Sequence, residues 1–181
     1  MYKPKANVAQ FSLVITFILF AFIAVSAKAN SEQLVNDLQL VGEARLSKLF
    51  WAIYDSRLYN RSGRYQGIEP GLTLEITYQR KITSQQLVES TREEWQMLRV
   101  YKQRSSEQWL KQLLTMWPDV KKDDVLTLRV DNNLASDFYF NGEAIGSIEK
   151  PEFTNHFLSI WLSSNARYPK LQQQLIGAVR N

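Results

Sequence analysis

Arg45, Tyr54, Arg57, Tyr59, Tyr78 and Arg80 are the polar side chains whose types and spacing could recognise an acid. An arginine beside a tyrosine can fix a carboxylate, because a guanidinium gives charge-assisted hydrogen bonds and a phenol adds a neutral donor. Arg57 shares the face of Asp55 and reads as solvated. His156 is the only histidine. As a general base it would need acidic or nucleophilic partners. There is no G-x-S-x-G turn to supply one, so His156 reads as a packed or helix-surface residue. Neighbouring residues on a helix point about 100° apart, so Glu93 and Glu94 cannot converge on one small ligand. Asp123-Asp124 falls in a polar turn, and both acidic pairs read as solvated surface. No spacing suggests a metal site. The chain has no cysteine, which excludes a thiol nucleophile, a thiolate zinc site and a disulfide framework. Neither a G-x-G-x-x-G nor a Walker pattern occurs, so no nucleotide cofactor is expected.

Those side chains need elements to hold them. Leu38 to Arg45 and Leu46 to Tyr59 read as strands, and Leu72 to Tyr78 alternates apolar and polar as a half-buried antiparallel strand does. In the second strand, Phe50, Ala52, Tyr54, Ser56 and Leu58 fall on one face and Trp51, Ile53, Asp55, Arg57 and Tyr59 on the other. Aromatics on both faces fit either an ordinary core or the lining of an apolar cleft. Thr83-Ser84-Gln85-Gln86 predicts a capping box, opening a helix to about Leu98 with Leu87, Thr91, Trp95 and Leu98 in one stripe. Ser105-Ser106-Glu107-Gln108 predicts a second helix, which Pro118 ends. Val125 to Val130 predicts a strand. Asp137 to Phe140 and Glu143 to Ile148 form a hairpin around Asn141-Gly142, whose residue types tolerate positive φ. Pro151 and Pro169 open two further helices. The order of strands, helices, strands and helices gives an α+β fold, an antiparallel sheet with helices packed on it.

The first 29 residues form a separate unit. Lys3 and Lys5 precede an apolar run from Phe11 to Val25, and Ala27-Lys28-Ala29 supplies the small-x-small cleavage pattern. This is the layout of a signal peptide. Residues 1–29 are therefore expected to be a leader cleaved after Ala29, and residues 30–181 one exported, periplasmic domain. A signal anchor is the alternative. The leader carries Lys3, Lys5 and Lys28, so its loss takes the basic residues from 22 to 19 against 18 acidic ones. The net charge falls to +1, which removes any charge argument for nucleic acid. Membrane contact is expected only through the leader before cleavage.

Ile53-Tyr54-Asp55-Ser56-Arg57-Leu58-Tyr59, Leu72 to Tyr78 with the capped helix after it, Phe138 to Gly146, Phe157 to Ser163 and Pro169-Lys170-Leu171 occur in this order. Together they resemble the chalcone isomerase-like family, in its bacterial exported branch, over nearly all of residues 35–180. The resemblance implies an open-faced β-sandwich, an antiparallel sheet under a helical layer with a ligand cleft between. Its members are either cofactor-free isomerases that close a chalcone or proteins without that activity, some of which bind fatty acids through an arginine and a tyrosine. Tyr54 stands where the fatty-acid binders have their tyrosine and the isomerases a threonine. Arg45 is the best match to the arginine, across a gap. Trp161 lies where the isomerases' last active-site pair falls, and the expected threonine is lacking there.

The resemblance thus implies a non-catalytic binder of a small apolar or amphipathic ligand such as a fatty acid, with Arg45, Tyr54 and Trp161 as site residues and no cofactor. Two alternatives stand beside it. One is an intramolecular lyase that stabilises an oxyanion with tyrosine-bound water and arginine. The other is a structural module with a filled core.

Overall fold

The computed structural model describes residues 33–179; the leader and its Ala27 and Ala29 lie outside them. Six strands run in sequence order as an antiparallel meander: β1 (Gln39–Lys48), β2 (Trp51–Asn60), β3 (Thr73–Tyr78), β4 (Val125–Val130), β5 (Ser136–Phe140) and β6 (Glu143–Ile148). Helices α1 (Ser84–Met97) and α2 (Gln103–Met116) are inserted between β3 and β4. Helices α3 (Pro151–Leu162) and α4 (Pro169–Leu175) follow β6.

The register sorts side chains by face. Ala44, Ser56 and Ile76 are opposed across β1, β2 and β3, and Leu58, Leu74 and Leu128 across β2, β3 and β4. These residues are buried, together with Phe138 of β5, under Trp95, Trp109, Leu113, Phe153, Phe157 and Leu158 of the helices. The other face carries Glu43, Arg57 and Glu75 in direct opposition across three strands. Alternating charges at opposed positions are mutually favourable.

The capping box forms as expected. Thr83 Oγ1 accepts from Gln86 N at 3.2 Å, and Gln86 Oε1 accepts from Thr83 N at 2.9 Å. Asn141 and Gly142 take φ of 51° and 86°, the positive values that their hairpin requires. Pro151 and Pro169 each stand at the start of their helix.

Three sequence expectations shift. The first turn is at Leu49-Phe50, so Leu46, Ser47 and Lys48 belong to β1 and Phe50 to no core. Neither residue is a turn former, and Leu49 takes φ 56°. A β-bulge follows: Leu46 opposes Tyr54 while Ser47 opposes Ala52, leaving Ile53 extra. Finally, α2 begins at Gln103, because Ser106 Oγ accepts the Lys102 amide from inside the first turn, at 2.9 Å.

Candidate functional site

Between the sheet and the helices lies a cavity of about 580 Å³. That is within the range of roughly 300–1,000 Å³ usual for small-molecule sites. Its sheet wall is Tyr54, Leu74, Ile76, Leu126 and Leu128; its far wall includes Leu87, Trp117, Phe157, Ile160, Trp161 and Leu171. The walls are apolar for a simple reason: they are inward positions of strands and helix stripes that would otherwise form core. Trp117, Phe138, Phe157 and Trp161 make a continuous ring chain, with centroids 5.3–5.8 Å apart between neighbours.

Tyr54 and Trp161 meet at the cavity wall. Trp161 Nε1 donates to Tyr54 Oη at 2.9 Å. The hydroxyl oxygen is thereby used as an acceptor, and its own proton is left to donate. Burial raises the Tyr54 pKa well above that of an ordinary phenol, against the Trp161 hydrogen bond, which lowers it; Tyr168 and Glu94 raise it further. Tyr54 is therefore a neutral donor at physiological pH. Tyr78, its cross-strand partner, packs edge-on against it at 6.4 Å, and its pKa is also raised by burial.

Arg45 and Tyr54 are not brought together. Arg45 opposes Asp55, one residue from Tyr54, and in a strand one residue means the opposite face. Its Nε and Nη2 donate to Asp55 Oδ1 and Oδ2 at 2.5 and 2.9 Å. Arg45 does not line the cavity; it borders a neighbouring groove with Tyr168 and Lys170, and its guanidinium is held by Asp55 and not by Tyr54. Arg57 is likewise on the charged face, 3.3 Å from Glu43 and 3.7 Å from Glu75. The cations that line the cavity are Lys48, Arg80, Lys81 and Arg167. Arg80 is exposed and lies two residues beyond Tyr78.

Two acids read as surface are not. Glu94 lines the cavity, with its side chain 17% exposed, and Arg167 Nε donates to its Oε1 at 2.6 Å. Its Oε2 is buried and without a hydrogen-bond partner. A signal existed, since Leu87, Thr91 and Glu94 recur at i, i+4 and i+7, the spacing of one helix face. Arg167 and Tyr168 carried no such signal, because they sit in the irregular link between α3 and α4. Asp124 is buried by a loop role, accepting from Lys121 N at 2.8 Å and Asn141 Nδ2 at 3.1 Å. Glu93 and Asp123 are exposed as expected. His156 is outside the cavity lining, packed between Trp95 and Trp109.

A sequence model of chalcone isomerase-like proteins matches residues 22–177. The chain belongs to the chalcone isomerase-like family. An uncharacterized protein of Haemophilus influenzae is 26% identical over 143 residues, 79% of this chain and 70% of that one. A crystal structure of an Arabidopsis thaliana fatty-acid binding protein superimposes with a TM-score of 0.56 at 12% identity, covering 80% of this chain and 92% of that one. At that identity the likeness is one of fold. It fits a chalcone isomerase-like α+β architecture, an open antiparallel sheet with helices on one face.

Proposed function

We propose that this chain binds, without transforming it, an amphipathic carboxylate such as a fatty acid. The tail would lie in the apolar cavity and the head would reach Tyr54 and the cations at the mouth. The observation that carries the reading is the Tyr54 hydroxyl. It is buried at the wall of an apolar cavity, held by Trp161, and has a proton to give. An apolar site with a few placed donors is the usual form of a lipid or cofactor pocket. The fatty-acid binding role of the Arabidopsis neighbour supports the same direction.

Arg80 takes the part that the sequence suggested for Arg45. It lines the cavity, is close in the chain to Tyr78, and has no ion-pair partner among the described residues. Arg167 is already committed to Glu94. The domain would act after export, with the leader removed at Ala27-Lys28-Ala29. N-terminal sequencing of the accumulated protein tests that step: a chain beginning near Asn30 supports it, and one beginning at Met1 refutes it.

The binding reading is tested by extracting natively purified protein and identifying retained lipids by mass spectrometry. A fatty acid held in stoichiometric amount is expected in wild type, with much less in a Tyr54→Phe/Arg80→Ala variant. Equal retention in both, or none in wild type that also fails to take up added fatty acid, would refute it.

A further inference from the structure

The β1–β2 turn presents Leu49, Phe50 and Trp51 to solvent at 92%, 98% and 72% exposure. This is a cost that folding does not require, since a two-residue hairpin turn is ordinarily Asn-Gly or Asp-Gly, as at Asn141-Gly142. The tip also overhangs the sheet. The last β2–β3 pair is Tyr54 with Tyr78, so Trp51, Ala52 and Ile53 extend past it. Lys48 adjoins the apolar tip, and Arg80 and Lys81 lie beside the same ribbon, where Gln79 N donates to Ile53 O at 2.9 Å. Lys48, Arg80 and Lys81 are exposed and form no ion pair among the described residues. Leu46, Lys48 and Ile53 of the ribbon line the cavity, so the tip stands at its mouth.

We infer that the β1–β2 tip docks the protein on an anionic phospholipid bilayer, with Leu49, Phe50 and Trp51 inserted at the interface and Lys48, Arg80 and Lys81 against the headgroups. Three features favour a bilayer as occupant. Tryptophan and phenylalanine beside basic residues suit an interface that is apolar below and anionic above. Basic residues gain from the negative surface potential of such a leaflet. Three side chains offer about 400–600 Å² at most, short of the roughly 800 Å² per partner that a stable dimer buries. Acids on the α1 side of the mouth bear on the orientation: Glu89 faces Arg92 and Glu94 faces Arg167, while exposed Glu93 disfavours contact on that side. The ribbon side would therefore meet the membrane. The inference rests on the ligand reading for its purpose, which is collection or delivery of an amphiphile at the mouth, but docking is measured without ligand.

Trp51 makes the test site-specific, since Trp95, Trp109, Trp117 and Trp161 are buried. The protein produced from the full-length gene, in the form in which it accumulates, is mixed with phosphatidylcholine vesicles containing phosphatidylglycerol and brominated acyl chains. Trp51 emission should shift to the blue and be quenched, and added salt should weaken both effects. A Leu49→Ser/Phe50→Ser variant keeps the reporter and should partition at least roughly tenfold more weakly. A Trp51→Phe variant should lose the signal. The inference is overturned if vesicles leave Trp51 emission unchanged, if the double variant is quenched equally, or if vesicles carry the protein without quenching Trp51. A concentration-dependent blue shift without vesicles, lost in the double variant, would assign the tip to self-association instead. Docking in a protein that takes up no fatty acid would remove the ligand reading and leave the bilayer inference standing.

Discussion

At the scale of single residues, the Tyr54 hydroxyl separates the binding site from ordinary core. Tyr54→Phe keeps the ring but removes both the bond accepted from Trp161 and the one donated to the ligand; the lost ligand bond should lower fatty-acid affinity by about 0.5–1.5 kcal/mol, roughly 2- to 13-fold, in a calorimetric titration. Arg45→Ala should leave that affinity unchanged, because Arg45 is on the other face, bound to Asp55. A loss of affinity in that variant would contradict the face assignment. His156 gives a pH prediction. Burial lowers its pKa, Lys102 lowers it further, and Glu152, 3.9 Å from Nε2, opposes both. The unfolded chain, with a histidine pKa near about 6.5, then binds the proton more readily than the folded one. Stability contributed by neutral His156 should be full at pH 7.5 and fall as the pH drops below that value. The gap between the denaturant midpoints of wild type and His156→Gln should therefore shift in the direction of a less stable wild type as the pH falls from 7.5 to 5, whereas a constant gap would show that His156 is not protonated on unfolding. Part of this residue-level picture was legible. Arg45 alternates in phase with Glu43, which marks a solvent face, yet its partner across the strand depends on a register that no local pattern carries.

Elements are decided by backbone chemistry as much as by periodicity. Gly142→Val would put a β-branched residue at φ 86°, which should cost roughly 1–3 kcal/mol in the unfolding free energy. An unchanged midpoint would mean that the hairpin tolerates another turn. Gly42 is small for a different reason: a Cβ there would lie 2.2 Å from Gln174 O and 2.6 Å from Leu175 O, the end of α4. Gly42→Ala should therefore displace α4 from β1 and destabilise by about 1–3 kcal/mol, read as a lowered melting temperature. The helices and the Asn141-Gly142 hairpin were readable because caps, prolines and turn residues mark them locally. The Leu49-Phe50 turn was not, since it has no such marker, and the bulge at Ile53 arises from pairing between strands. The unusual apolar turn makes sense as a surface feature, and the sequence alone presents it as more strand.

Across the whole molecule, the meander and its helical layer followed from the order of elements and from the family resemblance. The site followed only in part. Tyr54 and Trp161 lie 107 residues apart and meet through packing of α3 over β2, a contact that no spacing rule reaches. Glu94 and Arg167 are joined by the same layer, 73 residues apart. The central claim is that the space beneath this layer holds an amphipathic acid. Ile160→Trp would narrow that space from α3, since Ile160 lines it. Calorimetric titration of a saturated long-chain fatty acid into wild type and Ile160→Trp, with melting curves to confirm folding, tests the claim most directly. One bound acid per wild-type chain and weaker binding by the folded variant is the predicted result. No binding by wild type, or undiminished binding by the variant, would contradict it.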